Sequence, residues 1–410
     1  MTVRRIAIVS SGLGMGGSEL QVYQLATGLT SRGWQVTVVS LIAGGYYVPL
    51  FREKSIRVIE VPVSRIATPR SFRRLVATLR DLQVGIVHTQ ALRANLWGRI
   101  AANLLSLPVV ASVRATYSYL PRPYYLVERA LAIRTAWVLT PSRATTQHLV
   151  DHVGIPAGKV ITIPNAVDLE LFHPSRDGIE FRRRLGLEGK TVVLAAGRLI
   201  AQKNYVGLVS AFARVVNSQF DVVLVVAGSG PLERELKALA ANQGCPAHFV
   251  GDLDRSSMAD AMAAADIFLM MSDFEGMPNA ILEAMAAAKP VVSTAVDGVT
   301  DLITQEVEGI LVQKRDVAGA AMAVERLIMS PALRRALGSA GRRRVEKRHS
   351  IAENVSRHIN LYEPLIDSAP TLPTEPHGRR FGGSGSVGSG RKGQPDGPDQ
   401  RAVGDWPTSE

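Results

Sequence analysis

Six short apolar runs, at 6–10, 36–40, 57–61, 85–88, 109–113 and 136–140, alternate with stretches of helical character. A second series repeats the arrangement at 191–196, 221–226, 247–250, 267–270, 290–293 and 309–312. Strands joined through helices need crossover connections, so they pair in parallel and carry helices on both faces of the sheet. The stretch 18–30 shows the helical member, with apolar Leu20, Val22, Tyr23, Leu25, Ala26 and Leu29. The pattern predicts an α/β protein with two tandem Rossmann-like, doubly wound parallel sheets. A length of 410 residues suits two such domains. The linker falls near 164–174, which divides the chain into domains at 1–168 and 169–349.

Beyond that the pattern ends. A last helix is expected over 350–366. Residues 367–410 form a tail rich in Gly, Pro and Ser, with too little apolar surface to offset its ordering entropy, and it reads as disordered. No apolar run reaches the ~18 residues of a membrane span. The first residues lead into a strand and a glycine turn rather than a signal peptide. The single cysteine, Cys245, excludes an internal disulfide and suits a reducing cytoplasm. Its position before a strand reads as small apolar packing. The net charge of +11 is uneven: residues 1–165 hold 19 Lys and Arg against 6 Asp and Glu, whereas 166–364 hold 23 against 24. Such a basic half favours a phosphate-bearing acceptor or peripheral contact with the anionic inner face of a membrane. Nucleic acid is not expected, because no recognition motif accompanies the charge.

Two carboxylates stand out, Glu275 and Glu283, just after the apolar run 267–271. With 267–271 a strand and the next segment a helix, Glu275 sits in the connecting loop. Eight residues at ~100° each place Glu283 about two turns along, on nearly the same face. Such a pair can grip two separated hydroxyl groups of one ligand whose phosphates rest on the helix N-terminus. A nucleotide sugar has that shape.

The same segment, continued by Ala284 to Thr294, resembles the signature of the retaining GT-B glycosyltransferases of the family-four group (glycosyl transferases group 1). Gly16-Gly17-Ser18-Glu19, Pro164 to Asp168, Gly197 to Lys203, Gly228 to Pro231, Phe249 to Gly251 and Asp297-Gly298 resemble further family segments, in the family's order. The resemblance implies a GT-B fold with an interdomain cleft, the donor mostly on the C-terminal side and the acceptor on the basic N-terminal side. It implies retaining transfer from a nucleotide-diphosphate sugar to a glycan or lipid-linked acceptor, with no metal or other cofactor. The helix at 350–366 resembles the segment that returns to the N-terminal domain. Glu275 is assigned to the donor sugar, Glu283 to the ribose, and Arg198 with Lys203 to the diphosphate; Arg198, Lys203 and Glu275 form the catalytic set. Gly16, Gly17, Gly230, Gly276, Met277, Pro278 and Asn279 complete the donor-binding residues. Glu19, His88 and Arg114 are expected to contact donor or acceptor. Front-side displacement, implied by the resemblance, needs no protein nucleophile.

The residues support parts of this directly. Two cations after the first strand of the second domain stand where such folds bind ligands and can neutralise a departing diphosphate, which removes one need for a metal. Asp266 and Asp273 flank a strand as loop residues. Gly12 to Gly17 spells G-x-G-x-x-G, yet no Asp or Glu lies between Glu19 and Glu53 to hold a ribose, so a dinucleotide site fails. The family's His-x-His becomes His88-Thr89-Gln90, and a family histidine becomes Arg114. Asn165 reads as structural. The amphipathic stretch 70–82 suits sheet packing more than an anionic lipid surface, and the aromatic stretch 117–125 suits an acceptor loop. A nucleotide-sugar epimerase and a catalytically silent binding subunit are the alternatives.

Overall fold

A computed structural model describes residues 4–64, 66–115, 122–216 and 221–367. The tail and most of the aromatic stretch 117–125 lie outside the described residues. The first half contains β1 (Arg5–Ser10), α1 (Gly17–Thr30), β2 (Gln35–Ser40), α2 (Tyr47–Glu53), β3 (Arg57–Glu60), α3 (Pro69–Asp81) and β4 (Ile86–Gln90). It continues through α4 (Leu92–Leu104), β5 (Val109–Ser112), α5 (Arg122–Ile133), β6 (Trp137–Thr140), α6 (Arg143–His148) and β7 (Val160–Thr162). The second half runs α7 (Ile179–Leu185), β8 (Thr191–Ala196), α8 (Tyr205–Val216), β9 (Val222–Ala227), α9 (Glu233–Asn242), β10 (Ala247–Gly251), α10 (Arg255–Ala264) and β11 (Ile267–Met270). It closes with α11 (Asn279–Ala286), β12 (Val291–Thr294), β13 (Gly309–Val312), α12 (Val317–Met329), α13 (Pro331–Arg348) and α14 (Ile351–Asp367).

The first sheet has the order β3-β2-β1-β4-β5-β6-β7 and the second β10-β9-β8-β11-β12-β13. Every pairing within them is parallel, as between Ala7 and Val87 or Phe268 and Leu194. The tandem Rossmann-like architecture is therefore as expected, with β7 a short addition at the sheet edge. Each order reverses beside its first strand, between β1 and β4 and between β8 and β11. Ligands of such sheets bind outside the carboxyl ends of the strands at that reversal.

Apolar side chains fill both faces of each sheet. Ile6, Ile8 and Ile86 pack beneath α1, while Ala7, Val9 and Val87 face α3 and α4. Pro69 stands in the first turn of α3, and the Thr68 side chain caps it by accepting from the Ser71 N–H at 3.2 Å. Leu75 and Leu79 are fully buried, and Phe72 packs on Trp97. Each such leucine is worth ~2 kcal/mol of burial. The apolar side of α3 is thereby used in the core.

The chain passes to the second sheet after Ile163 and returns at His349, where Val167 and Ser350 form a bridge. It then continues as α14, which packs on α1 and β4 with Tyr362 fully buried and edge-on to Trp34.

Candidate active site

The loops after β8 and β11 meet at the reversal point of the second sheet. Asp273 donates its N–H to the Gln202 carbonyl at 2.8 Å, and Gln202 Nε2 donates to the Phe274 carbonyl at 2.8 Å. These bonds hold the turn Ala201–Lys203 against the segment before α11. Lys203 Nζ consequently lies 2.5 Å from Glu275 Oε1, with side chains only 18% and 8% exposed. An ammonium has three donors, so Lys203 keeps two for a ligand while anchored to Glu275.

Gly276 follows, pressed against the first domain: a Cβ there would stand 2.2 Å from the Arg114 carbonyl oxygen. No side chain fits, so glycine at this position sets how closely the two cleft walls approach. Met277 and Pro278 are buried behind it.

α11 begins at Asn279, so Glu283 stands about one turn into the helix, not the two that its spacing from Glu275 predicts, because Gly276 to Pro278 precede the helix as loop. Glu283 is half-buried. Burial pushes its carboxyl up to about 7, with the Arg255 guanidinium opposing the shift. Arg255 opens α10, where the Asp254 carboxylate caps the helix from the Ser257 N–H at 2.7 Å. It lies 3.6 Å from Asp168 and over the Phe172 ring.

Arg198 is exposed in the loop after β8. Its charge bears on Glu19 of the first domain, as does that of Arg114. Burial raises the Glu19 carboxyl, while a hydrogen bond from its own N–H and the two guanidiniums work against that rise. Gly16 is the extended N-cap of α1, and Gly17 begins the helix. Gly230 lies farther along, in the turn after β9 against the Leu199 carbonyl.

Two of the expected site residues have their side chains bonded within the fold. His88 is wholly buried and does not reach the cleft. On β4 it alternates with Val87 and Thr89, which puts it on the α14 side of the sheet. There its Nδ1 is hydrogen-bonded to the Tyr362 hydroxyl, its Nε2 to Ser112 Oγ at 2.8 Å, and its ring stacks on His358. Asn279 ties the segment before α11 to the first domain through its side chain. Its Oδ1 accepts from Asn165 Nδ2 at 2.8 Å and Gln21 Nε2 at 3.2 Å, and its Nδ2 donates to the Gly17 carbonyl at 3.0 Å. Sequence reasoning missed Gln21, four residues past Gly17, and left Asn165 as a turn residue. Arg114 reaches this cluster by donating from Nη2 to Asn165 Oδ1.

Asp266 accepts from Arg182 Nη2 and the Val192 N–H, both at 2.8 Å, and Asp273 pairs with Arg315 at 2.9 Å. Among the described residues no group of three His, Cys, Asp or Glu side chains is placed to hold a metal. No helix among them is long and apolar enough to cross a membrane.

Comparison with known proteins agrees with this geometry. The profile of the family described as Glycosyl transferases group 1 matches residues 177–344, and that of Glycosyltransferase Family 4 matches 15–171. The chain is 28% identical over 303 residues to a sulfoquinovosyl transferase of Arabidopsis thaliana, covering 70% of this chain and 58% of that protein. It is 25% identical over 342 residues to the UDP-Gal:alpha-D-GlcNAc-diphosphoundecaprenol alpha-1,3-galactosyltransferase of Escherichia coli, covering 77% and 86%. The Anabaena protein HepE, solved in complex with UDP and glucose, superposes with a TM-score of 0.79 at 20% identity, covering 88% of this chain and all of that one. The sucrose-phosphate synthase of Thermosynechococcus elongatus gives 0.77 at 22% identity, covering 89% and 100%. Two family profiles that abut at the domain linker, over two parallel sheets whose reversal points face one cleft, establish that the chain belongs to the group 1 glycosyltransferases of GT-B fold.

Proposed function

We propose that this glycosyltransferase is a retaining, metal-independent enzyme that moves a sugar from a nucleotide-diphosphate sugar to a glycan or lipid-linked acceptor. The observation that carries the reading is the largely buried Lys203–Glu275 pair at the reversal point of the second sheet, with Arg198 in the same loop as Lys203 and Glu283 one turn into α11. The donor's ribose hydroxyls are given to Glu283, its sugar hydroxyls to Glu275, and its diphosphate to Lys203 and Arg198. The bond from the anomeric carbon to the β-phosphate oxygen breaks, and the acceptor oxygen bonds that carbon on the same face. The acceptor proton passes to the leaving phosphate oxygen. Lys203 and Arg198 stabilise the charge that gathers there, an effect worth about 3–4 kcal/mol per group in comparable sites.

Two relatives are named for lipid-linked acceptors, the Escherichia coli galactosyltransferase above and a phosphatidylinositol monomannoside mannosyltransferase of Corynebacterium glutamicum. A cytoplasmic location with peripheral contact at the anionic inner face of a membrane suits such acceptors. In the basic half, Leu126 and Ile133 of α5 are 68% and 74% exposed, with Arg129 and Arg134 exposed beside them. Apolar side chains bordered by cations fit an anionic interface. Co-sedimentation with anionic but not neutral vesicles, lost in Leu126→Asp/Ile133→Asp, tests this contact.

The reaction is tested by incubating the protein with UDP-, GDP- and ADP-sugars in EDTA and following thermal shift and free nucleotide diphosphate. Stabilisation by one donor with slow release of its diphosphate is expected. Binding without release, even with acceptors added, would assign a binding subunit instead.

A further inference from the structure

The amide cluster between the two sheets has no part in the chemistry above, yet it ties together both loops that form the cleft. Asn279, the first residue of α11, follows the Glu275 loop directly. Its side chain reaches into the first domain, where Nδ2 donates to the Gly17 carbonyl and Oδ1 accepts from Gln21 on α1. The same Oδ1 accepts from Asn165, whose Nδ2 also donates to the Met277 carbonyl at 3.0 Å, inside the Glu275 loop. Gln21 fixes the linker in turn, donating to the Ala166 carbonyl and accepting from its N–H, both at 2.9 Å. Gln21 and Asn165 are buried. A buried amide left unpaired is costly, so these groups hold one another in a single arrangement.

The fit is tight at one further point. A Cβ on Gly17 would stand 2.9 Å from Asn279 Nδ2. A methyl group here would push the Asn279 amide aside and loosen the clasp, with no ligand involved. We propose that Asn279 is a positioning residue: with Gln21 and Asn165 it locks the Glu275 loop to the glycine loop, so that donor-side and acceptor-side walls hold one closed geometry. This deepens the functional reading above, on which its effect on turnover rests. A misplacement of about 1 Å between the walls can lower a transfer rate ~100-fold while each wall keeps its own ligand contacts.

The test uses Asn279→Ala, Gly17→Ala and their double variant in the full chain. Three quantities are read: small-angle scattering of the protein alone, affinity for whichever of UDP, GDP and ADP stabilises the wild type, and kcat for donor turnover. The expected result is a larger radius of gyration in both single variants, nucleotide affinity within about twofold, and kcat lowered about ten- to hundredfold. The double variant should be no worse than the poorer single one, because both changes remove the same contact. An unchanged radius overturns the proposal, and scattering reads this whether or not the protein turns over any donor. Equal losses in affinity and kcat would make Asn279 a donor contact and likewise overturn it. Gln21→Met, which keeps the volume and removes the amide, must reproduce the split if the clasp is real.

Discussion

β4 and β11 hold the same place in their sheets, fourth strand in chain order and beside the reversal, yet they use their ends differently. β4 ends its polar signal inside the strand: His88 is drawn under α14 and satisfied by Tyr362 and Ser112. β11 is apolar throughout, and its polar groups come only after it, in the loop that brings Glu275 to Lys203. A residue within a strand is committed to one face by the two-residue alternation. A residue in the loop beyond the carboxyl end is free to turn into the cleft. The first sheet's strand therefore contributes a buried neutral imidazole to stability, and the second contributes charge to the site.

The sharpest break of this contrast comes from the second sheet. Lys203→Ala should lower kcat about 10²–10³-fold with nucleotide binding partly retained. It should also lower the melting temperature, because Glu275 is left as a buried carboxylate without its cation. Near-normal turnover would remove Lys203 from the chemistry.

The first sheet answers to acid. Burial holds His88 well below its ordinary value of 6.5, and holds His349 and His358 near 4. All three are neutral in the fold, whereas the unfolded chain takes up their protons below about 6.5. Stability is therefore intact above pH 6.5 and falls as pH drops from 6.5 toward 4, by about 3 kcal/mol for each of His349 and His358. Thermal melts across that range should show the loss, and His358→Asn should flatten it. A melting temperature indifferent to pH over that window would contradict the buried neutral state.

Glu283 titrates in the opposite sense. Its folded value near 7 lies above the ordinary 4.5, so its contribution to stability is fully present below 4.5 and lost as pH rises through 7. The same ionisation supplies the carboxylate that would accept ribose hydroxyls. Nucleotide affinity should thus strengthen about tenfold between pH 6 and pH 8, with a proton released on binding. Calorimetry in buffers of different ionisation enthalpy measures both, and Glu283→Gln should abolish the trend. Affinity flat with pH in the wild type would remove Glu283 from the ribose.

The smallest effect belongs to a contact between the halves. Asp301 Oδ2 accepts from the Arg143 N–H at 2.6 Å, at the start of α6. A carboxylate at a helix N-terminus is worth about 0.3–1 kcal/mol, so Asp301→Ala should shift the melting temperature slightly and leave kcat unchanged. A large loss of turnover would show that domain closure depends on this contact as well as on the amide cluster.

Much of this was legible in the chain. Two series of apolar runs spaced by helices dictate two parallel sheets, because periodicity and crossover length act locally. Gly276 and Glu275 were visible as a loop pattern after a strand, and Arg198 and Lys203 as cations after another. Short β7, with only Val160 to Thr162, carries too few residues for periodicity to register. His88 was misplaced because its face is fixed by β4's register against β1 and β5, which no local pattern prints. Gln21, Asn165 and Asn279 were not legible as a unit, since residues 258 positions apart meet only when both domains close. The sequence by itself determined which segments become strands, helices and site-bearing loops, because those choices depend on neighbours along the chain. Tertiary structure alone decided which polar groups face the cleft, which are spent inside the fold, and how Glu283 acquires a pKa near 7, because burial and hydrogen-bond partners are properties of the packed whole.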